Sequence, residues 1–564
     1  MKCMIYSLAF GMLISSCTNT ESIDLLIYNA NVYTVDSSFS KTEAVAVKDG
    51  KIVETGTTAD LRKKYKAKDE IDAKGKFLYP GLIDAHAHFL SYGQYLNTAI
   101  LINTDSWDGV VEKVKEFAKD NKQPWIIGNG WDQNDWKEKS FPNNQKLNEL
   151  FPNTPVVLTR VDGHAAIAND KALELAGVKA GDKLDGGEVE VINGKLTGIL
   201  IDNATSLVYS KIPPQTTAQL KEALLDAEKN CFAVGLTTID DCGLDYTVAQ
   251  LIDSLHKSGE LKMRLFVMLS DEKRNYDFLF ANGKIKTDRL NVRSFKVFSD
   301  GALGSRGACP LQPYSDKPGW NGFLLSSIAH FDSVAHIIHE HGFQMCTHAI
   351  GDSANRVMLN TYSKYLDGKN DLRWRIEHAQ IVNENDFHLF GDNSVIPSVQ
   401  PTHATSDMYW AGDRLGKDRL RNAYAYKKLL NENGWIPLGT DFPVEDISPM
   451  KTFLAATARQ DAKRYPEGGF QPENALTREE ALRGMTIWAA KANFEEHEKG
   501  SIEKGKFADF VLLDTDLMKA DEKDTLKTKV LMTFVNGEKV FDEASSQPFS
   551  NGRRSPDLKA NKNC

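Results

Sequence analysis

The sequence predicts an α/β protein: a (β/α)8 TIM-like barrel with a small composite β-sandwich and a large insertion after the first barrel strand. Three observations carry this. Short apolar runs alternate with helical stretches through the middle of the chain, the pattern of parallel βαβ units. Period-two apolar runs gather at both ends, flanking everything else, so one small β-domain can be built from the two termini. The longest interval between strand candidates, about Leu101 to Lys211, follows the first strand and is too long for a plain connection. A doubly wound sheet is the alternative to the barrel.

The chain has 564 residues, 41% hydrophobic and 26% charged, the balance of a globular protein. Its net charge of −9 and pI near 5.9 come with no basic stripe, which argues against a nucleic-acid partner. Met1-Lys2, the apolar run Met4 to Ile14 and Ser15-Ser16-Cys17 resemble a bacterial lipoprotein signal peptide. That resemblance implies a signal over 1–16, lipidation of Cys17, a tether over 17–22 and a membrane-anchored protein of the cell envelope, periplasmic or outer-membrane. Of the seven cysteines, Cys3 leaves with the signal and Cys17 takes the lipid; the other five have no CxxC spacing, so neither a disulfide framework nor a thiolate zinc site is expected.

The first β-block is Ile23 to Tyr28, Val32 to Val35, and Ala44 to Val47 joined to Ile52-Val53 through Asp49-Gly50, a hairpin dipeptide. The second is Ala508 to Leu513, then Val530 to Val535 joined to Val540-Phe541 through Asn536-Gly537. Together they give a composite domain over 23–80 and 500–545. The barrel occupies 81–499, with an inserted subdomain over 101–211 that has a helix at Val110 to Lys119 and a hairpin at Asn193-Gly194. The eight barrel strand candidates are Leu82-Ile83, Thr237 to Ile239, Arg264 to Met268, Phe295 to Phe298, Gln344 to Cys346, Arg375 to Glu377, Val395 to Val399 and Ile436 to Gly439. Helices are expected at Leu220 to Phe232, Ser333 to His339 and Tyr424 to Leu430. The polar stretch 546–564 is expected to be disordered.

Catalytic groups of such a barrel sit at the C-terminal ends of its strands. The first strand runs into His86-Ala87-His88, and residues i and i+2 share a face, so both imidazoles can reach one ion. The fifth ends at His348, the sixth at Glu377-His378 and the eighth at Thr440-Asp441. Lys296 lies inside the fourth strand, where a buried ammonium is costly unless it is neutralised, paired or modified. Pairing with a carboxylate is the reading favoured before any resemblance is considered.

His86-Ala-His88, Lys296, His348, His378 and Asp441 together resemble the amidohydrolase superfamily, in particular its amidohydrolase-3 branch of YtcJ-like metal-dependent hydrolases, similar to N-substituted formamide deformylases. Supporting segments are Trp125 to Asp132, Arg160 to Ala165, Asp300 to Arg306, His348 to Asp352, Arg375 to Gln380 and Gly439 to Pro443. The chain departs from the pattern at Thr440, where serine is more usual, and at Gly307-Ala308-Cys309. The resemblance implies one or two divalent ions, zinc in first place, held by His86, His88, His348, His378 and Asp441. It also implies that Lys296 is carbamylated and bridges two ions.

The function expected is hydrolysis of non-peptide C–N bonds (amide, formamide, N-acyl or cyclic imide) in a small-molecule substrate. A metal-activated water attacks with Asp441 as general base, and His378 joins it as a catalytic group. Trp131, Asp132, His164, Asp300, Arg306 and Gln400 are the candidate substrate contacts, with Asp162 clustered beside them; Arg306 could meet a substrate carboxylate. Rival readings are a metal-dependent isomerase or dehydratase on the same scaffold and a lipid-anchored, non-catalytic metal-binding or regulatory protein. The sequence leaves the oligomeric state open, a homodimer included.

Overall fold

The computed structural model describes residues 20–545. The signal segment, the lipidation position Cys17 and the tail 546–564 lie outside the described residues. At the centre is a parallel sheet of seven strands in chain order: Leu82–Ala87, Leu236–Leu244, Arg264–Ser270, Leu290–Phe298, Gln344–Ala349, Arg375–His378 and Ile396–Ser398. Each pairs in parallel with the next, and helices such as Thr217–Ala233, Ile328–Glu340 and Asp352–Leu366 return the chain between them. Every residue of the first, fifth and sixth strands is buried, as a sheet covered on both faces requires.

The eighth expected strand, Ile436 to Gly439, is not a strand. It makes one parallel bridge, Leu438 to Val399, and closes the ring through Ala85 N–H to the Leu438 carbonyl (3.2 Å) and Asp441 N–H to the His86 carbonyl (2.7 Å). Pro437 has no N–H for a ladder. A Cβ at Gly439 would stand 2.6 Å from the His86 backbone nitrogen, so glycine is what lets this segment lie against the first strand. The expected helix at Tyr424 to Leu430 is displaced to Tyr426–Asn433, because Tyr424 takes a positive φ of 56°.

Both termini build a two-sheet sandwich. One sheet holds Lys51–Gly56, Ala44–Lys48, Glu21–Tyr28 and Tyr65–Asp72; the other holds Glu538–Asp542, Val530–Val535, Phe510–Leu513, Phe77–Pro80, Asn31–Tyr33 and Lys41–Thr42. The first strand begins at Glu21, inside the stretch expected to be tether. Phe510–Leu513 pairs antiparallel with Phe77–Pro80, which joins the two ends of the chain. Leu25, Ile27, Val45, Val47, Leu78, Phe510 and Phe534 fill the space between the sheets. Asp49-Gly50 and Asn536-Gly537 make two-residue turns with both φ values positive, as does Asn193-Gly194 in the insertion.

The insertion has a six-stranded sheet of its own, ordered Gly187–Ile192, Lys195–Asp202, Ala165–Ala168, Val156–Arg160, Ile126–Trp131 and Ala99–Ile100. Two separate apolar clusters cover it, one including Val110, Trp131 and Leu158, the other Leu173, Leu200 and Val208. A layer with a core on each face holds its shape, so the loops after Ile126–Trp131 and Val156–Arg160 can be aimed at the barrel mouth.

Candidate active site

The first barrel strand delivers His86 and His88 to one face. His86 Nδ1 is 2.5 Å from Glu377 Oε2, and His88 Nδ1 is 3.0 Å from the Cys242 carbonyl. Each ring therefore spends its Nδ1 hydrogen on a neighbour and turns Nε2 inward, the arrangement that orients metal-binding imidazoles. Burial raises the Glu377 carboxyl, but His86 and then Arg375 outweigh it and bring it down to about 2. His88 begins the helix Phe89–Tyr95, whose first N–H groups, Phe89 and Leu90, are held by the Asp241 carboxylate at 3.0 and 3.2 Å.

Asp441 is placed from the opposite side. Thr440 donates its N–H (2.9 Å) and its hydroxyl (2.7 Å) to Asp84, which fixes the closing segment to the first strand. Threonine keeps the hydroxyl this needs, so the departure from serine leaves the contact intact. Asp441 holds a positive φ of 65°, a strained backbone of the kind found at functional sites. Its Oδ1 lies 3.5 Å from His86 Nε2 and 3.2 Å from His88 Nε2, yet has no hydrogen bond of proper geometry; its Oδ2 lies 3.3 Å from His403 Nε2. Burial raises the Asp441 carboxyl, but His403, His86 and His88 outweigh it and hold it well below the usual carboxylate range.

His403 is the residue that strand-end reasoning missed. It sits on the helix Pro401–Asp407, which leaves the seventh strand, and its Nδ1 is 3.1 Å from Glu445. Burial lowers its pKa, but hydrogen bonds to Asp441 and Glu445 push it up to about 10. The signal was Gln400-Pro401-Thr402-His403: proline at the first helical position puts the histidine one turn beyond the strand, outside the last two strand residues. His378 closes the group, with a positive φ of 72° and a buried Nδ1 that has no hydrogen-bond partner.

Two sets of ligand atoms lie within 4.8 Å of one another, from His86, His88 and Asp441 and from His378, His403 and Asp441. Nitrogen and carboxylate donors facing one gap, with two buried polar atoms unsatisfied, fit a divalent ion. His348 stands beside these sets: its ring is 4.5 Å from that of His378, and its Nε2 is 3.4 Å from the Gly301 carbonyl. Burial first, then neighbouring positive charge, holds both His348 and His378 well below the ordinary imidazole value, in the neutral form a ligand needs. Lys296 is fully buried with Nζ 3.1 Å from His86 Nε2, so its nearest partner is a histidine and not the carboxylate expected.

These groups form the floor of a cavity of about 370 Å³. The insertion roofs it with Asp132, Asp135, Arg160, Asp162 and His164; barrel loops add Phe298, Gln380, Asp407, Trp410 and Glu445. Of the expected substrate contacts, Asp132 and His164 reach the cavity, and Trp131, Asp300, Arg306 and Gln400 do not line it. Trp131 points into the insertion core and donates Nε1–H to the Leu158 carbonyl (2.8 Å). Asp300 accepts the backbone N–H groups of Cys309, Ile350 and Gly351, tying three loop positions together. Arg306 pairs with Asp316 at 2.8 Å, and Gln400 is buried beside Ser398. Cys309 also lies off the cavity.

The amidohydrolase family model matches residues 69–541, and an imidazolonepropionase-like composite domain model matches residues 44–65 in the sandwich. The chain is 32% identical to Protein LONG AFTER FAR-RED 3 of Arabidopsis thaliana, covering 92% of this chain and 91% of that one. It is 30% identical to the putative amidohydrolase YtcJ of Bacillus subtilis (91% and 98% covered) and 28% identical to an N-substituted formamide deformylase of Arthrobacter pascens (93% and 100%). Among solved structures, an uncharacterized metal-dependent hydrolase from Pyrococcus horikoshii superposes with a TM-score of 0.73 at 26% identity, over 88% of this chain and 99% of that one. With its barrel, its histidine–aspartate floor and matches along most of its length, the chain belongs to the amidohydrolase family and is a metal-dependent hydrolase.

Proposed function

We propose that this enzyme hydrolyses a non-peptide C–N bond of a small molecule, of the amide, formamide, N-acyl or cyclic imide kind. The observation that carries this is the convergence of His86, His88 and His403 nitrogens on the two oxygens of Asp441 at the cavity floor. The names of two relatives, a putative amidohydrolase and an N-substituted formamide deformylase, support the bond class.

A divalent ion held by these residues, zinc in this proposal, supplies Lewis-acid activation of water and of the scissile carbonyl. The remaining steps fall to the chain. Asp441, ionised at neutral pH, takes a proton from the attacking water and returns it to the leaving nitrogen as the C–N bond breaks. Glu377 and the Cys242 carbonyl keep the inward nitrogens of His86 and His88 free for the ion. His378 and His348 stay neutral, ready to hold a second one. An ammonium at Lys296 would set a positive charge beside the very nitrogen that must hold a cation. We therefore take Lys296 to be carbamylated, its neutral amine adding to carbon dioxide with loss of a proton, which would give an anion able to serve as a metal ligand; crystallographic density that stops at the amine would overturn this.

The decisive experiment strips the metal, reconstitutes with zinc and assays formamides, N-acyl amino acids and cyclic imides. Zinc-dependent hydrolysis of at least one class is expected; tight zinc binding with no turnover of any of them would sink the proposal. The proposal keeps the protein anchored through Cys17: Cys17→Ser should release it from the membrane fraction, and unchanged fractionation would refute that.

A further inference from the structure

The cavity is lined by two unlike sets of residues. The insertion brings Asp132, Arg160 and Asp162, three charges already tied to one another. The other set is apolar and flanks the histidine–aspartate floor: Tyr92, Tyr95 and Leu96 follow His88, and Val444 and Ile447 follow Asp441. These two stretches are pinned together. The His88 N–H donates to the Phe442 carbonyl at 2.9 Å, and the Val444 N–H donates to the Asp441 carbonyl at 2.9 Å. The rings of Tyr92 and Phe442 meet edge to face at 5.3 Å, and Tyr92 stacks with Tyr95 at 6.4 Å. A single apolar wall therefore begins beside both His88 and Asp441.

The wall offers carbon and little else. Asn230, on the helix Thr217–Ala233 and outside the cavity, donates to the Tyr92 hydroxyl at 3.2 Å, so the ring is what Tyr92 gives the cavity. Asp446 and Lys451, the charges nearest the wall in sequence, pair with each other at 2.9 Å. Leu96 and Val444 are only half-buried, and both line the cavity, so part of their apolar surface is left for an occupant to cover. Pockets for small molecules are built this way, with an apolar lining and a few placed polar groups.

The chemistry decides which part of the substrate lies there. Asp441 returns a proton to the leaving nitrogen, so that nitrogen must come within hydrogen-bond reach of the Asp441 carboxylate. A substituent on the nitrogen then starts at the foot of the wall that Val444 and Tyr92 begin. We propose that the substrate's leaving amine carries an alkyl or aryl group, and that the wall of Tyr92, Tyr95, Leu96, Val444 and Ile447 selects for it. The inference rests on the C–N hydrolase reading and narrows it to a substrate class.

The test gives the zinc-reconstituted enzyme two series: N-alkyl formamides from methyl to hexyl, and N-methyl amides from formyl to hexanoyl. In the first, kcat/KM should rise about three- to fourfold per methylene until the wall is covered. The gain should appear chiefly in KM, because the contact is already made in the bound substrate. The acyl series should show no such rise. Leu96→Trp, which fills the space, should lose at least about tenfold more kcat/KM on the hexyl than on the methyl formamide. Val444→Thr keeps the shape of the wall and adds a hydroxyl, so it should flatten the same slope without closing the space. A rise on the acyl series alone, no rise on either, or equal losses at every chain length in both variants would overturn the inference and leave C–N hydrolysis standing. Turnover of cyclic imides alone, whose nitrogen bears no substituent, would do the same. No turnover of any amide, formamide or imide would instead sink the C–N reading, and this inference with it.

Discussion

The barrel holds two buried polar clusters at its two ends, and they are built on opposite principles. At the N-terminal end of the sheet, the barrel floor far from the cavity floor of the active site, Arg375 meets Asp240 at 2.9 Å and Asn493 bridges both, while Arg264 grips Asp509 with two nitrogens at 2.6 and 3.0 Å and reaches Asn536 in the sandwich. Each charge there faces its opposite; only Arg375 Nε goes without a partner. At the mouth, His378 Nδ1 and Asp441 Oδ1 are buried and unsatisfied, and Lys296 faces a histidine nitrogen. Leaving buried polar atoms unpaired costs about 1–3 kcal/mol each, and two of them facing each other's ligand set is an arrangement that an occupant would relieve. The floor stabilises the fold, and the mouth is an incomplete site whose missing member is the ion.

Substitutions that cut each cluster can break this contrast. Asp441→Asn should lower turnover by about a thousandfold or more, since an amide cannot take the proton from water. It should barely change the urea midpoint of the metal-free protein; a large drop in stability would make Asp441 a structural group. Arg375→Met should do the reverse. Removing one partner of a buried charge pair costs about 3–5 kcal/mol, because Asp240 is left buried without its cation. Chemical denaturation would read this, and a variant of wild-type stability would show that the floor is not what holds the barrel. Glu377→Gln lies between the two ends: it leaves His86 a neighbour without a charge and should weaken zinc binding about 10- to 100-fold, measured by competition with a chelator. Unaltered affinity would mean that Glu377 belongs to the floor.

The same contrast explains what could be read from the sequence. Seven barrel strands were legible from short β-branched runs, and the hairpins from Asp49-Gly50, Asn193-Gly194 and Asn536-Gly537, because these signals are local. That His86, His88, His378 and Asp441 would gather at one end of the barrel was legible because strand ends point one way. His403 was not, since a helix start intervened between strand and ligand. Trp131 ends its strand and Asp132, still extended, is the next residue, and consecutive extended residues face opposite sides, so one fills the insertion core and the other lines the cavity. Asp300 and Arg306 were expected among the substrate contacts, Arg306 for a substrate carboxylate, and neither lines the cavity. Their partners, three backbone N–H groups and Asp316, come from elsewhere in the chain, and a single sequence does not show what long-range folding brings together.

His256 offers the smallest effect and a control for the histidines of the site. It lies near the end of the helix Tyr246–Ser258, with Nε2 2.9 Å from the Met263 carbonyl and Nδ1 buried without a partner. Unlike His403 it has no carboxylate at hydrogen-bond distance, and burial brings its pKa down to about 4 even though the Met263 contact works the other way. A group whose folded pKa lies below its unfolded value of about 6.5 favours the neutral form in the fold. Its contribution is therefore complete above pH ~6.5 and is lost as pH falls toward 4. After allowance for partial exposure, the loss is on the order of 1–2 kcal/mol. His256→Gln keeps an N–H for Met263 but does not titrate, so the drop in unfolding free energy from urea denaturation between pH 7 and pH 4.5 should be smaller than in the wild type by that amount. Equal drops in the two proteins would mean that His256 charges freely in the fold, and that an unpaired buried ring nitrogen does not by itself mark a site awaiting a ligand.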